Sequence, residues 1–500
     1  MPGLGHRSAV AFSWGVFASV VKVVLTILIQ AALARLLGPK EFGLFALAIL
    51  VIGIAGYFAD SGLATSLVQR RQVLDIDIRF VTTLNLITAA FVSALLVGFA
   101  GPISVAFGKP EAKQIFQWLA PVFLINALAS VSVSLLRRNL DYRSIQLANL
   151  AGYALGFGGV GIFAAAVIGS VYALVAAYLC QALLTLALLY RKTLHTLEFT
   201  LQNTDRSPFI WFGANILATN LVNWIASSLD RLVVSRLFSS DALGHYSASF
   251  NLIYSPVGAL YSNLQSTVFS SMAQMQDETQ RMQSVYLELL RAVTIIFLPT
   301  FLGLFFFSTP LVLTVYGMQW IEAGPLAGPF CIMAPFVMIW ACSTPVLWNT
   351  GRRALEWQVQ LPFIVLALVV VVPAASYSIL AVAWAATAIY VARSMLMIGL
   401  ACRALDIGVA RVLVAIWPSI WITFLVGAVA KVCAILLHQA SAPLAFQLVL
   451  GIFSIVGAFV LCLVLAPAVL PPLARKSIGS LTPFVPRFVQ PLLRRLKGKP

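Results

Sequence analysis

Leu444–Pro467, LAFQLVLGIFSIVGAFVLCLVLAP, runs for 24 residues without Asp, Glu, Lys or Arg. Wound as a helix at 1.5 Å per residue, it reaches about 36 Å, enough to cross the ~30 Å hydrocarbon core of a bilayer. Upstream the same pattern recurs. From Ser8 onward, apolar runs of about 20 residues alternate with short polar breaks. The whole chain is 61% hydrophobic and 10% charged, with a mean hydropathy of +0.97. In lipid every backbone N–H and C=O must find its partner within the segment, so the runs are expected to be helices. The chain therefore reads as an all-α integral membrane protein.

About fourteen spans are expected, at 9–34, 42–60, 80–101, 115–135, 145–168, 171–190, 209–235, 243–270, 292–315, 325–348, 357–374, 379–401, 412–437 and 444–467. An even number puts both termini on one side. Cytoplasmic loops are enriched in Lys and Arg. With the termini inside, 23 of the 32 Lys and Arg residues fall in inside segments and five in outside loops. Both termini are therefore expected in the cytoplasm.

The same bias accounts for the net charge of +16. It marks topology, together with a basic tail suited to anionic lipid headgroups. A nucleic-acid partner is excluded because no soluble domain is left to carry one. Ala32-Leu33-Ala34 looks like a signal-peptide cleavage site. Its apolar stretch is about 25 residues, against roughly 7–15 for a signal peptide, so it reads as a span. The six cysteines all fall within spans without metal-like spacing, and the four histidines are scattered. Neither a disulfide framework, a metal site nor a cofactor is implied.

Shifted by 201 positions, the stretch from Ala34 to Phe45 falls on Ser235 to Tyr246. Arg35 meets Arg236, Leu36 meets Leu237, Gly43 meets Gly244 and Phe45 meets Tyr246. Further on, Arg137-Arg138 answers to Arg352-Arg353, and Tyr178 and Arg191 answer to Tyr390 and Arg403. Spans 1–6 and 7–12 thus read as two copies of one bundle. Six spans per copy give both the same orientation, so the repeat axis follows the membrane normal and a central cavity between two lobes is expected. The domains implied are 1–192 (N-lobe), 193–411 (C-lobe), 412–468 (two extra spans) and 469–500 (basic cytoplasmic tail).

A charge at the bilayer centre costs roughly 2.5–3.5 kcal/mol on insertion scales, so it tends to face a cavity or a partner. Lys22 stands mid-span, with Ser19, Thr26 and Gln30 on its helix face. Span seven carries Asn215, Thr219, Asn223 and Ser227, then Asp230-Arg231. Span eight adds Ser247, Asn251, Ser255, Ser262 and Gln265. Such stripes also glue helices together, and Asp230-Arg231 reads equally as a closed ion pair. Arg393 and Lys431 have snorkelling to an interface as the alternative. At the inner face, Asp60, Arg70, Arg71, Arg137 and Arg138 are cytoplasmic-face candidates, with Asp60 also able to cap its helix or pair with nearby arginines. Lys22, Gln30, Asn223, Asp230, Arg231 and Arg393 are the cavity candidates. Their summed charge is positive, which suits an anionic, hydroxyl-rich substrate.

These stretches carry a family likeness. Arg35–Ala46 (RLLGPKEFGLFA), 60–71 (DSGLATSLVQRR), Leu135–Arg143 (LLRRNLDYR), Leu229–Leu237 (LDRLVVSRL) and Ala242–Tyr246 (ALGHY) together resemble the Wzx-type, WzxC-like polysaccharide flippases of the MOP transporter superfamily. The likeness covers about residues 8–465. It implies two six-helix lobes around a cationic cavity, and flipping of undecaprenyl-diphosphate-linked oligosaccharide units for exopolysaccharide, capsule or O-antigen synthesis. Membrane lipids, a polysaccharide polymerase and export machinery would be its partners, and a proton or sodium ion its coupling ion. Ser239-Ser240 and His245 depart from the pattern, which bears on loop shape rather than mechanism. The alternatives are a MATE-like antiporter, which would want mid-span acids, a MurJ-like lipid II flippase, and a membrane glycosyltransferase or polymerase. The last needs a long outer loop with an acid–base pair. Every outer loop here is shorter than about 15 residues, so no enzyme is expected.

Overall fold

The computed structural model describes residues 21–465 except 61–63, 65–66, 69–72, 197, 202–206 and 353. Among the described residues there is no β-strand. Long helices follow one another: α1 (21–36), α2 (Pro39–Asp60), α3 (Asp75–Ala106), α4 (Ala112–Arg138), α5 (Tyr142–Ile168), α6 (Val171–Thr193), α7 (Ser207–Leu237) and α8 (Ser240–Ala273). They continue with α9 (Thr279–Phe306), α10 (Ala323–Asn349), α11 (Ala354–Ala374), α12 (Ile379–Leu405), α13 (Val409–Gln439) and α14 (Leu444–Leu465).

Among the described residues eleven helices, α2–α6 and α9–α14, are long and apolar enough to cross a membrane. Helices also occupy the three remaining expected positions. They are α1, which continues the expected first span, and α7 and α8, whose polar stripes dilute their hydropathy. Residues 1–20, with Ser19, and the basic tail lie outside the described residues.

The chain divides into two compact units, residues 1–248 with 360–379, and 249–359 with 380–500. This division by packing does not follow the expected repeat boundary at 192/193. It passes instead through α8 and α11.

In the first unit, Ile29, Leu33 and Leu37 of the α1 segment form a core with Ala164, Ala165, Ala173 and Leu174, joined by Phe42, Phe45 and Phe157. Residues Ala154–Gly161 of α5 wind as a π-helix. Its glycines let α6 approach closely: a Cβ on Gly156 would stand 2.7 Å from the Gln181 backbone. Glu41 of α2 caps α6, its Oε2 accepting from the Val171 N–H at 2.7 Å. That satisfies an otherwise orphaned donor and sets an anion at the positive end of the helix dipole. Before α5, Asp141 accepts from the Ser144 N–H at 3.0 Å. Lys109, in the loop after α3, is buried and donates to the carbonyls of Ser235 and, at 3.0 Å, Phe238 at the end of α7. Burial, and then the nearby Arg236 charge, holds its ammonium below the usual lysine value.

One helix break recurs at the 201-residue offset. The first helix ends at residue 36, breaks at 37–38 and resumes at 39; the later one ends at 237, breaks at 238–239 and resumes at 240. The register is the 201-residue shift throughout. Gly43 and Gly244 then pack against each other. A Cβ on Gly43 would lie 1.7 Å from the Ser240 carbonyl oxygen, and one on Gly244 would lie 1.9 Å from the Pro39 carbonyl oxygen. Pro39 and Ser240 are themselves repeat mates, so the contact exchanges like for like across a local two-fold.

In the second unit, α9 packs against α13, α10 and α14. Thr294 and Ser419 share a hydrogen bond at 2.8 Å, and Gly303 and Gly427 leave room for Ile455 and Leu302. Of the eleven spans among the described residues, α10 is the most buried, at 89% of its apolar window. It holds three prolines in its interior, Pro329, Pro335 and Pro345, besides Pro325 in its first turn. Hydroxyls of α12 bind its carbonyls, Thr387 to Pro329 at 3.0 Å and Ser394 to Phe336 at 2.9 Å.

Candidate functional site

Lys22, Gln30, Asn223, Asp230 and Arg231 fall in the first unit, and Arg393 in the second. Lys22 is exposed on α1, while Thr26, one turn on, is buried and Gln30 half-buried. On α7 the polar stripe is partly self-satisfied. Asn223 accepts from Gln360 of α11, and Ser227 turns back to the Trp224 carbonyl at 3.1 Å. The side chains of Asn215 and Thr219 lie outside the described residues.

Asp230 and Arg231 do not make a closed ion pair. The buried Asp230 carboxylate accepts from the phenol of Tyr246, itself fully buried, at 2.7 Å. The Arg231 Nε stands 4.0 Å from the other Asp230 oxygen. Its Nη2 donates instead to the Ser227 carbonyl at 2.8 Å and the Ser228 hydroxyl at 3.1 Å. These bonds orient a guanidinium that keeps 20% of its side-chain surface exposed.

Arg393 does not snorkel. It is 7% exposed, and its guanidinium carbon stands 3.6 Å from the Trp340 ring centroid and 4.7 Å from that of Tyr390. The planar cation lies against an electron-rich indole face, worth about 2 kcal/mol when desolvated. Tyr390 also hydrogen-bonds the guanidinium, and Tyr261 and Tyr254 of α8 stand close enough to interact with its charge. Its buried Nε has no hydrogen-bond partner among the described residues. Glu356, at the start of α11, accepts from Trp348 Nε1 at 2.7 Å and also feels the Arg393 charge. Along α8 the polar side chains mostly bond their own helix, as with Ser262 to Ala259 at 3.1 Å and Ser266 to Asn263 at 2.9 Å. Asn251 and Ser262 remain exposed.

Trp340, Tyr254, Tyr261 and Glu356 are the residues that sequence reasoning missed. Aromatics at helical spacing look like packing, and Glu356 stands one position before the expected eleventh span. At the inner face Arg137 is exposed, and Arg138 donates to the Leu67 carbonyl at 3.2 Å. Arg70, Arg71 and the Asp60 side chain lie outside the described residues. Lys431 is exposed on α13. Among the described residues no group of His, Cys, Asp or Glu is placed to hold a metal ion.

Each unit thus presents an oriented guanidinium in polar or aromatic surroundings. The fork of Arg suits phosphate oxygens, and aromatic faces suit the apolar faces of sugar rings.

Residues 32–325 match the family described as polysaccharide biosynthesis protein. The chain is 23% identical to the lipopolysaccharide biosynthesis protein WzxC of Escherichia coli K12, over 66% of this chain and 67% of that protein. It is 24% identical to the succinoglycan biosynthesis transport protein ExoT of Rhizobium meliloti, over 68% of this chain and 69% of that one. In fold it is similar to the lipid II flippase MurJ in its inward closed conformation. There the TM-score is 0.70 at 15% identity, covering 90% of this chain and 98% of the other.

Proposed function

The chain belongs to the polysaccharide biosynthesis protein family, and from that premise we propose that it flips undecaprenyl-diphosphate-linked oligosaccharide units from the cytoplasmic to the periplasmic leaflet of a bacterial inner membrane. The relatives named as polysaccharide biosynthesis and transport proteins support this reading. The observation that carries its chemistry is Arg393, a desolvated cation on an indole face with a donor to spare.

The mechanism is positional. Lys22 and Arg231 in the first unit, and Arg393 in the second, each offer a cation to the diphosphate, while aromatic and hydroxyl side chains pass the glycan and the lipid tail stays in the membrane. A fixed cation attracts phosphate far more strongly in a low-dielectric cavity than in bulk water. Alternating access of two repeat lobes, 1–192 and 193–411, moves the unit across, and no bond is made or broken. Both termini are cytoplasmic, a proton or sodium ion supplies the coupling, and a polymerase and export machinery take the product onward.

The test is polymer export in a host lacking its own flippase, at matched protein levels in the membrane. Lys22→Ala and Arg393→Gln should each cut export severely. Full export from both would refute the cation-held diphosphate. A reporter active only in the periplasm, fused after Arg206, should stay silent; a strong signal would overturn the topology.

A further inference from the structure

Apart from the residues assigned to transport, the second unit holds a cleft of about 410 Å³ between α9 and the start of α13. Leu287, Glu288 and Arg291 line it from α9, and Arg411, Val414 and Ala415 from α13. Two guanidiniums face one carboxylate there, and the rest of the wall is apolar.

One of the arginines is held in place. Arg411 Nη1 donates to Gln283 Oε1 at 2.9 Å, and Gln283 Nε2 donates in turn to the Leu405 carbonyl at 2.8 Å. This relay aims the Arg411 fork and leaves it further donors, since a guanidinium carries five N–H groups.

The flank of α13 running away from Arg411 is apolar and open. Val414, one turn on, is 74% exposed, and Trp417, a turn further, 56%. Trp417 meets Trp421 edge-to-face with centroids 5.8 Å apart. Six residues of helix put Trp417 about 9 Å deeper than Arg411 along the axis. A cation with indoles about 9 Å below it matches the membrane–water interface, where basic and aromatic side chains collect above the acyl chains. A soluble anion would satisfy the arginines and leave that flank bare.

We propose that this cleft binds the phosphodiester headgroup of an anionic membrane phospholipid, with Arg291 and Arg411 on the phosphate and the acyl chains along Val414 and Trp417. The arginine bias puts this end of α9 and α13 at the cytoplasmic leaflet, where anionic lipids attract basic residues. The site shares no residue with the transport candidates, so its failure leaves the flippase reading standing, and the reverse.

Native mass spectrometry of the detergent-released full chain, titrated with phosphatidylglycerol or phosphatidylcholine, tests it. The wild type should retain phosphatidylglycerol preferentially. Arg291→Gln and Arg411→Gln should each weaken that binding about fivefold, and together about 25-fold. Binding of phosphatidylcholine should be unchanged. Glycerol phosphate, the headgroup without its chains, should not displace the lipid. An unchanged preference in the double variant would overturn the proposal. So would displacement by glycerol phosphate, which would mark a site for free anions. Should the double variant fail to fold, the exposed Arg411→Gln decides alone: a fivefold loss sustains the site, and wild-type binding removes it.

Discussion

Replacing Gly43 by alanine puts two effects of known size in opposition. In a helix interior, alanine is favoured over glycine by about 1 kcal/mol, because glycine loses more backbone freedom on folding. At Gly43 the new methyl would stand 1.7 Å from the Ser240 carbonyl oxygen, which is backbone and cannot rotate away. Restoring an ordinary carbon–oxygen contact of about 3.3 Å needs roughly 1.6 Å of separation between the starts of α2 and α8. That shift would pull Gly244 from Pro39, so the mate contact is lost as well. Overpacking of this kind costs about 1–3 kcal/mol or more, exceeding the propensity gain. Gly43→Ala should therefore unfold at a lower temperature than the wild type in detergent, followed by size-exclusion fluorescence. Gly98 is the control: a Cβ there meets nothing within 4 Å, so Gly98→Ala should be as stable as the wild type or slightly more so. Equal stability of the Gly43 and Gly98 variants would refute the close crossing.

Arg393→Lys keeps the charge and loses the planar stack on Trp340, so export should fall while membrane levels hold; undiminished export would show that charge alone suffices. Lys109→Met strips a buried donor from the carbonyls of Ser235 and Phe238 and should cost about 1–3 kcal/mol in thermal unfolding. Asp141→Ala removes a helix cap, worth about 1 kcal/mol. The Ser144 hydrogen bond lowers the Asp141 carboxyl, so its contribution is present above the unfolded carboxylate value and is lost as pH falls through the lowered folded one. The Ala variant should lose that part of the acid dependence. Burial lowers His195, so protonation is resisted in the fold; its stability contribution should drain away as pH falls below the ordinary histidine value, and His195→Gln should flatten that slope.

The matching helix breaks after 36 and 237 were legible because their signal is local. Arg-Leu before a break and Gly four residues into the next helix recur at one offset, and the helix ends at 36 and 237 obey it. Arg231 and Arg393 were legible because charge in an apolar run is conspicuous. Their surroundings were not. Tyr246 reaches Asp230 only after the chain has turned between α7 and α8, and Trp340 meets Arg393 from a different helix. Nothing in hydropathy separates a tryptophan that stacks on a cation from one that fills space. The unit boundary was equally hidden, since it passes within α8 and α11, where the sequence shows no break.

Helix α10 has almost no surface left for lipid, and this bears on how the chain is made. The ribosome delivers α10 before α12, yet α12 supplies Thr387, Ser394 and the Arg393 that covers Trp340. Ser343 and Thr344 are already bonded within α10 and, for Ser343, by Tyr286 of the earlier α9; until Ser394 has been translated, however, the Pro329 and Phe336 carbonyls lack the hydroxyls of α12 and Trp340 lacks its guanidinium. A nascent chain stalled there would present polar groups to the bilayer that the finished protein hides. The stretch between α10 and α12 is thus where membrane quality control has the most to recognise, and where slow synthesis would be most costly.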